Sequence, residues 1–166
     1  MTLKSILVAT DFSEPARAAL EHGKALARSQ DATLHVLHVV QQIPTYYGSE
    51  VGLAVADIED TIAASAQRQL ESAIGNDGDV VVRASTTRAP KVARAINEYA
   101  EEHDVDLIVV GTHGRGAVSR FLMGSVAERV VRSASRPVLT IHAPEGDSPL
   151  IDHDVVAHET AEGVPV

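Results

Sequence analysis

Residues 106–125 read DLIVVGTHGRGAVSRFLMGS, and this stretch decides the architecture. Asp106–Val110 is a short β-branched apolar run, the pattern of a strand buried on both faces. A glycine-rich segment follows, with Gly111, Gly114 and Gly116. Gly124-Ser125 then opens a helix that runs to about Ala134. Strand, glycine loop and helix start in succession mark half of a parallel α/β unit. Glycines let backbone amides approach a ligand closely. The unpaired N–H groups and dipole of a helix N-terminus attract anions. Ser125 adds a hydroxyl, although Ser125-Val126-Ala127-Glu128 also matches a capping box that serves only its own helix.

Working outward, the same alternation recurs. Lys4–Ala9 reads as a first buried strand, followed by the turn Thr10-Asp11-Phe12-Ser13. Ser13 can cap the next helix, Pro15 suits its first turn, and Ala16, Leu20, Gly23 and Ala27 share one face. Thr33–Val40 is a second strand. Gln41–Val55 reads as a long connection, and Asp57–Ile74 as a helix with Ile58, Ile62, Ala66, Leu70 and Ile74 in a stripe. Gly75 to Gly78 stops it. Asp79–Ala84 is a third strand, Pro90 opens a third helix, and Pro137–Ile141 is a fifth strand. The fold class is α/β: a doubly wound, Rossmann-like parallel sheet with helices on both faces. Such sheets bind ligands beyond the carboxyl ends of their strands, where strand order reverses.

Composition narrows the function. The 166 residues contain no cysteine, which excludes thiol catalysis and Cys-based metal sites. No run reaches the ~18 apolar residues of a membrane helix. A cytoplasmic protein is the default expectation. The net charge is −9. Residues 144–166 hold six of the acidic side chains, Glu145, Asp147, Asp152, Asp154, Glu159 and Glu162, and no Lys or Arg. We therefore divide the chain into a domain over 1–143 and an acidic, solvated tail over 144–166. With this charge and 3% aromatic residues, neither a basic nucleic-acid face nor a base-stacking platform is expected.

Several chemistries lack their motif. No G-x-x-x-x-G-K-[ST] places a lysine on terminal phosphates, no G-x-S-x-G elbow is present, and no G-x-G-x-x-G follows the first strand. The third strand ends Arg83-Ala84-Ser85-Thr86-Thr87, without the phosphorylatable Asp of a receiver domain. His35 and His38 stand three apart on a strand and point to opposite faces, so they cannot chelate together. Asp152-His153-Asp154 and His158 read as solvated tail residues. No protein-built metal site is expected. Mg²⁺ could arrive with a nucleotide. His113 can donate to a phosphate, and Arg115 is either a phosphate-facing cation or a solvated loop charge.

The spacing Gly111-x2-Gly114-x9-Gly124-Ser125 resembles the nucleotide-binding motif of the universal stress protein family. Ile6–Ser13, Asp106–Arg115, Gly124–Glu128 and Pro137–Leu139 resemble that family's first strand and turn, fourth strand and loop, last helix and last strand. The likeness covers Leu3 to about His142. It implies a five-stranded sheet ordered 3-2-1-4-5 and the ATP-binding branch. Asp11 would then contact the adenosine at its ribose. Ala9, Thr10, Val39 and Val110 would line the base or sugar pocket. Gly111, Gly114, Gly124, Ser125 and Val126 would hold phosphates through backbone amides. Ala9 replaces a proline frequent in the family, and Arg88 stands where a glycine is frequent. The resemblance also implies a homodimer paired through residues 137–141, and an exposed edge strand is one that pairing would cover. The function expected is a cytoplasmic, ATP-binding stress-response regulator. A slow ATPase and an interaction module that binds no nucleotide are the alternatives.

Overall fold

The computed structural model describes residues 2–42, 49–75, 78–112 and 123–142, the side chains of 49–59 excepted. Among the described residues five strands and four helices alternate: β1 (Ser5–Ala9), α1 (Glu14–Gln30), β2 (Thr33–Gln41), α2 (Ser49–Ile74), β3 (Val82–Ala89), α3 (Val92–Glu102), β4 (Leu107–Gly111), α4 (Ser125–Ser133) and β5 (Val138–Ile141). All pairings are parallel, in the order β3-β2-β1-β4-β5. The chain winds from β1 to β3 in one direction and crosses back to β4 on the other side of β1. Strand order therefore reverses between β1 and β4, which pair from Ile6↔Leu107 to Ala9↔Val110.

The strand periodicity of two sorts side chains into two cores. Ile6, Val8, Leu34, Val36 and Val109 pack with Leu20, Leu70 and Ile74 under α1 and α2. Leu7, Leu37, Ile108 and Val110 pack with Ile96, Ala100 and Val130 under α3 and α4. Ile6, Leu7, Leu34, Leu37 and Ile108 are wholly buried, each contributing roughly 1.5–3 kcal/mol of transfer free energy. Below the sheet, the Asp106 carboxylate accepts the Lys4 and Ser5 amides at 2.7 and 3.0 Å, joining the amino ends of β1 and β4. Among the described residues no helix is long and apolar enough to cross a membrane.

Two expectations need correction. The connection expected over Gln41–Val55 is shorter, because α2 begins at Ser49. The third strand is Val82–Ala89 rather than Asp79–Ala84. The apolar run before it misleads: Val81 is 66% exposed, whereas Val82-Arg83-Ala84-Ser85 form the paired ladder opposite Leu34 to Leu37. As an edge strand β3 is only half buried, so it tolerates Arg83, Thr86 and Thr87 where a central strand would carry Val or Ile. Arg88 on β3 reaches Asp60 on α2 at 2.5 Å.

His35 is 3% exposed, with Nδ1 3.0 Å from the Tyr99 hydroxyl and its ring edge-on to Tyr99 and His103. Burial first, then the charges of His103 and Arg83, lower its pKa below the ordinary value. Protonation is thus easier in the unfolded chain than in the folded one. The linked stability is complete above the unfolded pKa of about 6.5 and declines as pH falls from there through the lowered folded value. Chemical denaturation at pH 7.5 and 5.5 should show a loss for the parent that is smaller in His35→Phe. An equal loss in both would remove His35 as the cause.

Candidate functional site

The carboxyl ends of β1 and β4 are built from three pieces that touch one another. The first is the turn after β1. Thr10 continues the strand by donating its N–H to Leu37 O at 2.9 Å, and its Oγ1 accepts the Phe12 N–H at 3.1 Å. Asp11 Oδ1 accepts the N–H and the hydroxyl of Ser13 at 3.0 and 2.5 Å. Ser13 in turn is the N-cap of α1, its Oγ accepting the Ala16 N–H at 3.4 Å. The expectation that Ser13 caps is met, and Asp11 orients the cap residue rather than capping the helix itself. Phe12 occupies the left-handed region, φ 64°.

The second piece is the end of β4. A Cβ on Gly111 would lie 2.7 and 2.8 Å from the carbonyl carbon and oxygen of Pro15 and 2.9 Å from Ala16 N. Glycine is required here because the first turn of α1 crosses the strand at backbone contact. That gives Gly111 a packing reason independent of any phosphate. Thr112 follows, donating its N–H to Ile141 O at 2.9 Å, with Oγ1 3.0 Å from His142 Nδ1.

The third piece is the start of α4. Gly124 N–H donates to Thr112 O at 2.6 Å, so the chain returns to β4 where it left it. Gly124 is the N-cap, without a side-chain cap bond, and Ser125 is the first helical residue. The capping-box alternative for Ser125 therefore does not hold. The first-turn amides of Ser125, Val126 and Ala127 precede the first helical acceptor, and Ser125 and Val126 are exposed. The macrodipole makes this end electropositive, with no cation required.

The residues expected at the site fall into three groups. Thr10, Asp11, Gly111, Gly124, Ser125 and Val126 stand at the carboxyl ends of β1 and β4 or on the helix start joined to them. Ala9, Val39 and Val110 lie at the same level, but Val39 and Val110 are 8% and 4% exposed and belong to the core under α3 and α4, with Ala9 packed against it. His113, Gly114 and Arg115 lie outside the described residues, as does the tail over 144–166. Sequence reasoning missed His38 and Thr112. His38 Nδ1 sits 2.8 Å from Thr10 O, and Thr112 links β4, β5 and α4. Among the described residues no group of three His, Cys, Asp or Glu side chains could hold a metal ion.

The profile of the universal stress protein family matches residues 2–142. A universal stress protein A homolog of Coxiella burnetii is 32% identical over 146 residues, 87% of this chain and all of that protein. A universal stress protein of Methanocaldococcus jannaschii is 32% identical over 143 residues, 86% of this chain and 84% of its own length. Among solved structures, the universal stress protein UspA of Lactobacillus plantarum superposes with a TM-score of 0.71 at 27% identity, covering 85% of this chain and 99% of that one. A universal stress protein of Archaeoglobus fulgidus, solved in complex with dAMP, superposes with a TM-score of 0.55 at 26% identity, covering 85% of this chain and 99% of that one.

Proposed function

The chain belongs to the universal stress protein family, and from that premise we propose that it is a cytoplasmic regulator that binds an adenine nucleotide where β1 and β4 end. One observation carries the reading. The Asp11 turn, Gly111, Thr112 and the N-terminus of α4, where Gly124 supplies no side-chain cap, are bonded or packed into one continuous rim at the point where strand order reverses. The chemistry is complementary along that rim. Asp11 offers a carboxylate to ribose hydroxyls, and the amides of Ser125 and Val126 offer neutral donors and a helix dipole to phosphate. The dAMP complex of the Archaeoglobus fulgidus relative supports an adenine nucleotide as the ligand class.

ATP, with Mg²⁺ carried by its phosphates, is the nucleotide proposed; Gly114, His113 and Arg115 would complete the phosphate contacts. Thr10, Ala9, Val39 and Val110 would close the sugar and base end, chiefly through main-chain atoms, since the two valines are committed to the core. Amides hold ground-state and transition-state phosphates nearly alike, which favours affinity over rate. Binding without useful hydrolysis is therefore the role assigned, with turnover far below the ~1 s⁻¹ lower end of ordinary enzymes. A homodimer through residues 137–141 is part of the same proposal: β5 closes one end of the sheet, and Leu139 on it is 36% exposed. Pairing would cover both the outer edge of β5 and that side chain.

Calorimetric titration of nucleotide-free protein with ATP, ADP and AMP tests the reading. Saturable heat from at least one of them is expected. Folded protein that gives no heat up to millimolar ligand contradicts it.

A further inference from the structure

His38 lies on β2 opposite Thr86 of β3, one residue past the last pairing of β1 with β2, Ala9↔Leu37. Among the described residues its ring makes two contacts, and they grip the residues on either side of Asp11. Nδ1 is 2.8 Å from the carbonyl oxygen of Thr10. A carbonyl can only accept, so Nδ1 carries the proton and donates. The ring face stacks on Phe12, centroids 4.5 Å apart and planes 30° apart. Phe12 is the residue whose left-handed backbone, φ 64°, makes the turn possible. An L-residue with a bulky side chain is rarely found there, and the conformation persists only where its surroundings enforce it. The Thr10 hydroxyl holds the Phe12 amide, and the Phe12 ring is held between the His38 ring and the core under α1.

We infer that His38 is a positioning residue of the nucleotide site: it clamps Thr10 and Phe12 so that the Asp11 carboxylate is held ready for a ribose, without touching the ligand. The inference rests on the adenine-nucleotide reading above and assigns a regulator of affinity to that same site. Neither contact depends on the phosphate end, so the effect acts through Asp11.

The variants separate the two contacts. His38→Asn keeps an amide donor near the Nδ1 position and loses the stack. His38→Phe keeps the stack and loses the donor, and His38→Ala loses both. Each is titrated with AMP, and amide exchange is followed at Phe12 and Ser13. His38→Ala should weaken AMP binding by about tenfold, the worth of one well-made hydrogen bond, and speed exchange at both amides. His38→Asn should recover most of the affinity, and His38→Phe should recover little. In an Asp11→Ala background His38→Ala should add little further loss, because the two substitutions remove one interaction. Unchanged AMP affinity in His38→Ala, or losses that simply add in the double variant, overturns the proposal while leaving the nucleotide site standing. A parent protein that takes up no AMP overturns both.

Discussion

Gly111→Ala is expected to destabilise the fold by about 3 kcal/mol, the upper part of the range for overpacking a filled interior. The argument turns on what the new methyl group meets. Its nearest neighbours, at 2.7 to 2.9 Å, are main-chain atoms of Pro15 and Ala16, which no rotamer change can clear. Either the first turn of α1 lifts from the sheet or β4 bends away from it. The first option moves the Ser13 cap and with it the Asp11 turn, because Ser13 and Asp11 are bonded. At roughly 2–4 °C per kcal/mol for a chain of this size, the melting midpoint should drop by about 10 °C. Gly78→Ala is the matched control: nothing lies within 4 Å of its added Cβ. It should stay within about 0.5 kcal/mol of the parent. Equal midpoints for Gly111→Ala and Gly78→Ala would contradict the close approach of α1 to β4.

Gly124→Val is expected to do the opposite, sparing the fold and abolishing the ligand. Gly124 has φ −58° and ψ 142°, an extended conformation open to any residue, so the backbone gives no reason for glycine. Valine is a poorer N-cap than glycine by about 1 kcal/mol, which the fold can absorb. The ligand side differs. A branched side chain beside the exposed amides of Ser125 and Val126 would stand between them and a phosphate. Affinity for ATP should fall a hundredfold or more, about 2.8 kcal/mol at 1.4 kcal/mol per decade. Paired thermal melts and nucleotide titrations check both halves. Retained affinity would place the phosphates elsewhere.

The contrast between these glycines shows what sequence could and could not supply. Both stand in one glycine-rich motif and both were read as phosphate contacts. Only the structure separates Gly111, held by α1, from Gly124, whose φ and ψ are open to any residue. The central strands were legible because double burial leaves an apolar run with few alternatives, as in Ile6-Leu7-Val8 and Leu107-Ile108-Val109. The edge strand β3 was displaced by three to five residues, because half-burial lets Arg83, Thr86 and Arg88 into the ladder and removes the apolar signal. The Asp11 turn was legible from its polar cluster after a strand. Its strut was not. His38 is one of two imidazoles on β2 with no motif around it, its partner Thr10 is 28 residues away, and Phe12 is not a residue type that signals a left-handed backbone.

Backbone amide shifts recorded while AMP and then ATP are added to nucleotide-free protein test the central claim most directly, since they report binding and place in one experiment. The account predicts saturable shifts concentrated at Ala9–Ser13, Gly111–Thr112 and Gly124–Ala127, with the amino ends of the strands around Lys4, Ser5 and Asp106 unmoved. Absence of shifts at millimolar nucleotide, or shifts gathered at those amino ends or along β3, would contradict it.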